Sequence, residues 1–102
     1  MEELNTLDFD RVIAAGKIVV EFYGRGCLNC RMAEPVIKDL ERQNNALRFV
    51  RVNADTNLAL VHRYHITALP TLLCLDNGRL LTTISGVKPL PVLQKSLDSC
   101  YH

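Results

Sequence analysis

Apolar and polar positions along the chain change period several times, and each change marks an element. Leu7, Phe9, Val12, Ile13 and Ala15 recur at helical spacing after a possible cap at Thr6 or Asp8, and Gly16 stops them, which predicts a short helix over 7–15. Residues 17–23 (Lys-Ile-Val-Val-Glu-Phe-Tyr) are β-branched, aromatic and almost continuously apolar between Gly16 and Gly24. That is the pattern of a central strand covered on both faces. From Cys27 to about Asn44, Met32, Val36, Ile37 and Leu40 form one stripe while Lys38, Asp39, Glu41 and Arg42 face away, so an amphipathic helix is expected. Pro35 lies inside it and should kink it, because proline lacks the backbone donor and crowds the preceding turn.

A second strand follows at 47–53, then a short helix at 58–64 after the turn residues Asp55, Thr56 and Asn57. Residues 71–75 and 79–84 read as two strands joined by Asp76, Asn77 and Gly78, where the Asn-Gly pair marks a hairpin. A last helix is expected from Val92 to Leu97, after Pro89 and Pro91. A β-α-β unit followed by a helix and a hairpin predicts an α/β fold: a mixed sheet, partly parallel and partly antiparallel, flanked by helices. No repeat, linker or low-complexity tract divides the 102 residues, which read as a single domain over 1–102.

Composition narrows the function. With 48% hydrophobic residues the chain is no disordered segment, and 12 Lys plus Arg against 11 Asp plus Glu lack the basic excess of a nucleic-acid binder or a polybasic membrane anchor. No apolar run approaches the ~20 residues needed to cross a bilayer, so no membrane partner is expected. The acidic start Met1-Glu2-Glu3 lacks the cationic and apolar regions of a secretory signal, which points to the cytoplasm. Cysteines at 27, 30, 74 and 100 are too few and too uneven for a disulfide scaffold, which leaves reactivity as their interest.

The informative cluster is Gly26-Cys27-Leu28-Asn29-Cys30, placed where a strand and a short loop deliver the chain into a helix. Residues three apart on the first helical turn share a face, so the two sulfurs can join with little backbone movement. Free amide hydrogens and the helix dipole favour the thiolate of the first cysteine and can lower its pKa from ~8.5 towards neutrality. Cys27 is thus the expected nucleophile, and Cys30, one turn deeper, the residue that resolves the mixed disulfide.

In these features the chain resembles the thioredoxin family from about Phe9 to Leu97. Val20-Glu21-Phe22-Tyr23 followed by Cys27-x-x-Cys30 is similar to the family's central strand and active-site turn, Pro35 to its helix-kinking proline, Thr67-Ala68-Leu69-Pro70-Thr71 to its cis-proline loop, and Asn77-Gly78 to its hairpin turn. The resemblance implies a thioredoxin-like fold and a small dithiol–disulfide oxidoreductase that reduces protein disulfides. It also implies no bound cofactor, a separate reductase as electron donor and a monomer. It implies substrate contacts at Gly26, at Leu69 beside Pro70, where free backbone groups can pair with an extended segment, and at Gly86, which keeps the groove open. Glu21 stands where the family usually has Asp, as a buried acid that takes the proton of Cys30. Arg51 matches a Lys beside that acid, and its permanent charge should hold the Glu21 pKa lower than a lysine would. Two departures stand out: Gly26 replaces the usual Trp, and Leu28-Asn29 the usual Gly-Pro.

Plainer alternatives attach to each residue. Cys27 and Cys30 with His62 and His65 have the residue types of a zinc site, which would make the chain a zinc- or partner-binding module on the same fold. A glutaredoxin-like or oxidant-leaning dithiol protein is the nearer alternative. Glu21 can be an edge-facing solvated carboxylate, Arg51 a surface charge and Pro70 an ordinary trans proline. Cys74 reads as a small core hydrophobe and Cys100 as an incidental thiol near a frayed end, or a dimer contact prone to oxidation.

Overall fold

A computed structural model describes residues 1–102. Its strands are β1 (Glu2–Leu4), β2 (Lys17–Tyr23), β3 (Arg48–Asn53), β4 (Thr71–Asp76) and β5 (Arg79–Ser85); its helices are α1 (Phe9–Ile13), α2 (Leu28–Gln43), α3 (Leu58–Arg63) and α4 (Leu90–Cys100). A 3₁₀ turn, Ala54–Thr56, links β3 to α3. The strands form one sheet in the order β1-β3-β2-β4-β5. β3 runs parallel to both β1 and β2, whereas β4 is antiparallel to β2 and β5. The expected α/β architecture is present, and β2 lies at its centre.

Strand alternation sorts the core into two layers. Ile18, Val20 and Phe22 of β2 face Phe9, Ile13 and Leu60 of α1 and α3, together with Val50, Val52, Leu73 and Leu75. Val19 faces the other way, towards Ala33, Ile37 and Leu40 of α2 and Leu93 and Leu97 of α4. Since side chains alternate along a strand, Glu21 shares the face of Val19 and lies under α2. Cys74 is fully buried in that second layer, a core position as expected.

Several expectations need correction. Residues 2–4, read as an acidic start, form β1, and Leu4 is buried in the first layer. The first helix is shorter than 7–15: Leu7 is exposed, and Thr6 caps nothing but donates through N and Oγ1 to Asn57 Oδ1 at 2.8 and 3.0 Å. Met32 is exposed, because the buried face of α2 runs through Cys30, Ala33, Ile37 and Leu40 at three- and four-residue spacing and leaves position 32 about 100° off it. Helix α4 begins at Leu90, since Pro91 fits a first turn where no amide donor is needed, and extends to Cys100. Its end is held rather than frayed: Tyr101 Oη donates to the carbonyls of Ile18 and Leu75 at 3.0 and 2.9 Å.

Candidate active site

The strand β2 ends at Tyr23, and Gly24, Arg25 and Gly26 turn the chain into α2. Gly26 has φ +70, a conformation that a side chain opposes, so the backbone favours glycine there. Gly24 lies close to two side chains: a Cβ would stand 2.9 Å from Leu69 Cδ1, which would have to shift, and 3.6 Å from the Asp55 carboxylate, which accepts the Arg25 amide at 2.9 Å. Nothing in the sequence pattern beyond the Gly-x-Gly spacing signalled this close approach of the loop before Pro70.

Cys27 is the N-cap of α2. Its sulfur accepts the Cys30 amide at 3.1 Å, pairing one of the helix's otherwise unpaired donors, and its carbonyl accepts the Arg31 amide at 3.2 Å as the first regular bond of the helix. Cys27 and Cys30 are joined as a disulfide with Cα atoms 5.2 Å apart. Cys27 is partly exposed whereas Cys30 is buried, the asymmetry expected of an attacking and a resolving sulfur. Around them Leu28 and Met32 present exposed apolar side chains, and Arg25 and Arg31 exposed cations.

The Leu69–Pro70 peptide bond is cis, and the Leu69 carbonyl oxygen lies 3.9 Å from Cys27 Sγ. Neither Leu69 N–H nor its carbonyl has a backbone partner. The loop is held from both sides: Thr71 Oγ1 donates to the Ala68 carbonyl at 2.6 Å, and the Gly86 amide to the Pro70 carbonyl at 2.8 Å. Gly86 has φ +86 and faces open space, with no atom within 4 Å of a built Cβ, so its glycine also answers a backbone demand. The structure therefore brings Cys27, Cys30, Leu69, Pro70 and Gly86 to one end of the sheet, beside Gly26.

Glu21 lies on the face under α2 and makes no hydrogen bond to either cysteine. It is not an edge-facing, solvated group: only 5% of it is exposed. Burial pushes its carboxyl above the ordinary range, the Arg51 guanidinium pulls it down, and Glu34 and Glu41 push it up again. Arg51 is no plain surface charge either. Its Nε stands 3.9 Å from Glu21 Oε1, is buried and has no hydrogen-bond partner, while its guanidinium carbon lies 3.8 Å from the centre of the Tyr23 ring. The Tyr23 hydroxyl in turn donates to Glu3 Oε2 at 2.6 Å. His62 lies in the last turn of α3 and His65 just past it at φ 54, and no group of three or more His, Cys, Asp or Glu side chains is arranged to hold a metal.

This geometry agrees with what other proteins show. A family model described as Thioredoxin matches residues 1–99. The chain belongs to the thioredoxin family. Thioredoxin 1 of Synechococcus elongatus is 32% identical over 82 residues, 79% of this chain and 77% of that one. The thioredoxin of Bacillus subtilis is 30% identical over 91 residues, 88% of each chain. A solved chain that is 27% identical superposes with a TM-score of 0.88 over 97% of this chain and 94% of its own; it comes from work on the thiol resolving mechanism in yeast mitochondrial 1-Cys peroxiredoxin via glutathione/thioredoxin systems. As a thioredoxin-family member with a paired Cys27-x-x-Cys30, the protein is a dithiol–disulfide oxidoreductase, and the family implies protein disulfides as substrates and a reductase as partner. No helix is long and apolar enough to cross a membrane.

Proposed function

We propose that this chain, acting as one domain over residues 1–102 and as a monomer, reduces exposed disulfides of cytoplasmic proteins, with electrons returned by a separate reductase and with no bound cofactor. The observation that carries the reading is the capping of the Cys27 sulfur by the first-turn amide of α2, with Cys30 buried one turn behind it. In the reduced protein that amide and the helix dipole favour negative charge on Cys27. The Cys27 thiolate attacks one sulfur of the substrate disulfide and expels the other as a thiolate, leaving a mixed disulfide. The Cys30 thiol gives its proton to the Glu21 carboxylate through water. Its thiolate then attacks Cys27, closing the Cys27–Cys30 bond and releasing the second substrate thiolate. Two electrons leave the dithiol and reduce the substrate disulfide to two thiols.

Substrate recognition rests on main chain. The free N–H and carbonyl of Leu69 beside Pro70 pair with an extended segment, and Gly26 and Gly86 leave room for it. Where relatives carry a Trp before the first cysteine, Leu28 and Met32 supply the apolar rim here.

Equilibration with glutathione buffers, repeated for Cys27→Ser and Cys30→Ser, tests this. A midpoint at or below the roughly −220 to −260 mV of a cytosolic glutathione pool is expected, with a trapped adduct in Cys30→Ser only. An adduct in Cys27→Ser alone would reverse the two roles, and a clearly higher midpoint would turn the protein into an oxidant.

A further inference from the structure

A cleft of about 210 Å³ opens beside α2 and ends at the Glu21 carboxyl. The charged groups that line it come from two elements: Glu34, Lys38 and Glu41 from α2, and Arg51 from β3. Met1 also lines it, and the β4 neighbour of Glu21 is the uncharged Leu72. Glu34 pairs with Lys38 at 3.3 Å in an exposed i,i+4 bridge. Glu41 makes no ion pair.

Two polar groups beside this space lack a hydrogen-bond partner in the protein. Glu21 receives no hydrogen bond, and Arg51 Nε, at 3.9 Å from it, is too far to donate one. A cleft of this size has room for several waters, and one at its inner end would satisfy the Glu21 carboxyl. Charge is the remaining difficulty. A proton acceptor works best when its affinity for the proton is near that demanded at the working pH, and a guanidinium that never gives up its charge opposes this. Two carboxylates at the rim act in the other direction.

We propose that Glu34 and Glu41, which share the cleft with Glu21, are positioning residues for the thiol chemistry, whose negative charges at its rim offset the fixed charge that Arg51 places 3.9 Å from the Glu21 carboxyl. The inference rests on the reading of Glu21 as acceptor. The Cys30 S–H bond breaks and a Glu21 O–H bond forms; after Cys30 has attacked, Glu21 returns the proton to water in the cleft, so the carboxylate is regenerated and nothing is consumed.

The test follows the Glu21 side-chain carbonyl carbon by NMR through a pH titration, in the intact chain with both cysteines reduced. Glu34→Gln and Glu41→Gln should each raise the ionisation constant of Glu21 about two- to fivefold, the range of partly screened charge pairs, and the double variant by roughly the product. Glu34→Asp, which keeps the charge, should restore most of the effect. Lys38→Met, which leaves Glu34 unpaired, should shift the midpoint in the opposite direction, a reversal that mere loosening of α2 would not produce. An unmoved midpoint in the double variant, or a shift of the same sign for Lys38→Met, overturns the inference. The pH profile of mixed-disulfide resolution separates the two readings: if the NMR midpoint moves and the profile does not, the rim charges act on Glu21 as proposed, but Glu21 is not the acceptor.

Discussion

At Glu21 burial and charge pull against each other, and the outcome can be read from stability. Desolvation is the largest influence and raises the carboxyl above its ordinary value of 4.5, with Arg51 opposing. The folded protein therefore binds this proton more tightly than the unfolded chain does. The resulting stabilisation is complete below the unfolded value and is lost as pH rises through the folded one, at about 1.4 kcal/mol for each unit between them. Glu21→Gln keeps the shape and removes the titration. Thermal unfolding as a function of pH should show the wild type losing ground to the variant from the ordinary carboxylate range upwards, with a plateau once Glu21 is ionised. Parallel curves would mean that the carboxyl is not perturbed. In the same variant the first attack by Cys27 should be nearly unchanged, while resolution by Cys30 slows by the 10²–10⁴-fold typical of a lost proton-transfer group. The pair Glu21 and Arg51 also shows why a residue's role is harder to see than its place: the strand pattern put both on neighbouring strands, yet only three-dimensional packing reveals that the guanidinium lies against Tyr23 and leaves Glu21 without a hydrogen bond.

Among the elements, those with long apolar runs were legible from residue pattern alone. β2 spans the residues predicted for it, and β4 and β5 meet at Asn77-Gly78, whose φ values of 50 and 81 suit the tight hairpin turn that Asn-Gly favours. The Cys27-x-x-Cys30 site was equally legible, because its chemistry depends on spacing and on lying at a helix start. Shorter elements were not. β1 has three residues, two of them glutamates, so no alternation could announce it; what creates it is pairing of Glu2, Glu3 and Leu4 with Val50, Arg51 and Val52. Glu2 also forms an ion pair with Arg48 at that edge. Met32 was misplaced because the apolar residues of this amphipathic helix fit two neighbouring stripes, Leu28-Met32-Val36 and Cys30-Ala33-Ile37-Leu40, and the contacts with the sheet select the second. Leu4 measures how firmly β1 belongs to the fold: it is 1% exposed in the first core layer. Leu4→Ala should cost about 2 to 5 kcal/mol in urea unfolding, through lost burial and the cavity left behind. A cost below about 0.5 kcal/mol, the usual limit of a surface change, would mean that β1 frays independently of the sheet.

Over the whole molecule, function and anchoring occupy opposite ends of the sheet. β2 enters at Lys17 and leaves at Tyr23, so Cys27, Cys30 and the Leu69–Pro70 loop gather beyond its last residue. At its first residues two ties close the other end. The Asn77 amide donates to the Gly16 carbonyl at 2.9 Å while Asn77 Oδ1 accepts the Gly16 amide at 2.8 Å. The Tyr101 hydroxyl bonds the carbonyls of Ile18 and Leu75, which face each other across β2 and β4. Burial holds that phenol well above its ordinary range, so it stays a donor throughout the working pH. Tyr101→Phe keeps the ring and removes one donor from two carbonyls, which should lower stability by about 1 to 3 kcal/mol. Because a packed sheet separates this tie from the sulfurs, the glutathione equilibrium and the rate of disulfide reduction under native conditions should match those of the wild type. Loss of stability with unchanged chemistry would show that the two ends are energetically independent. A shift in the redox equilibrium of comparable size would show instead that the sheet transmits strain from its carboxy-terminal anchor to the active-site turn, and that the fold cannot be divided in this way.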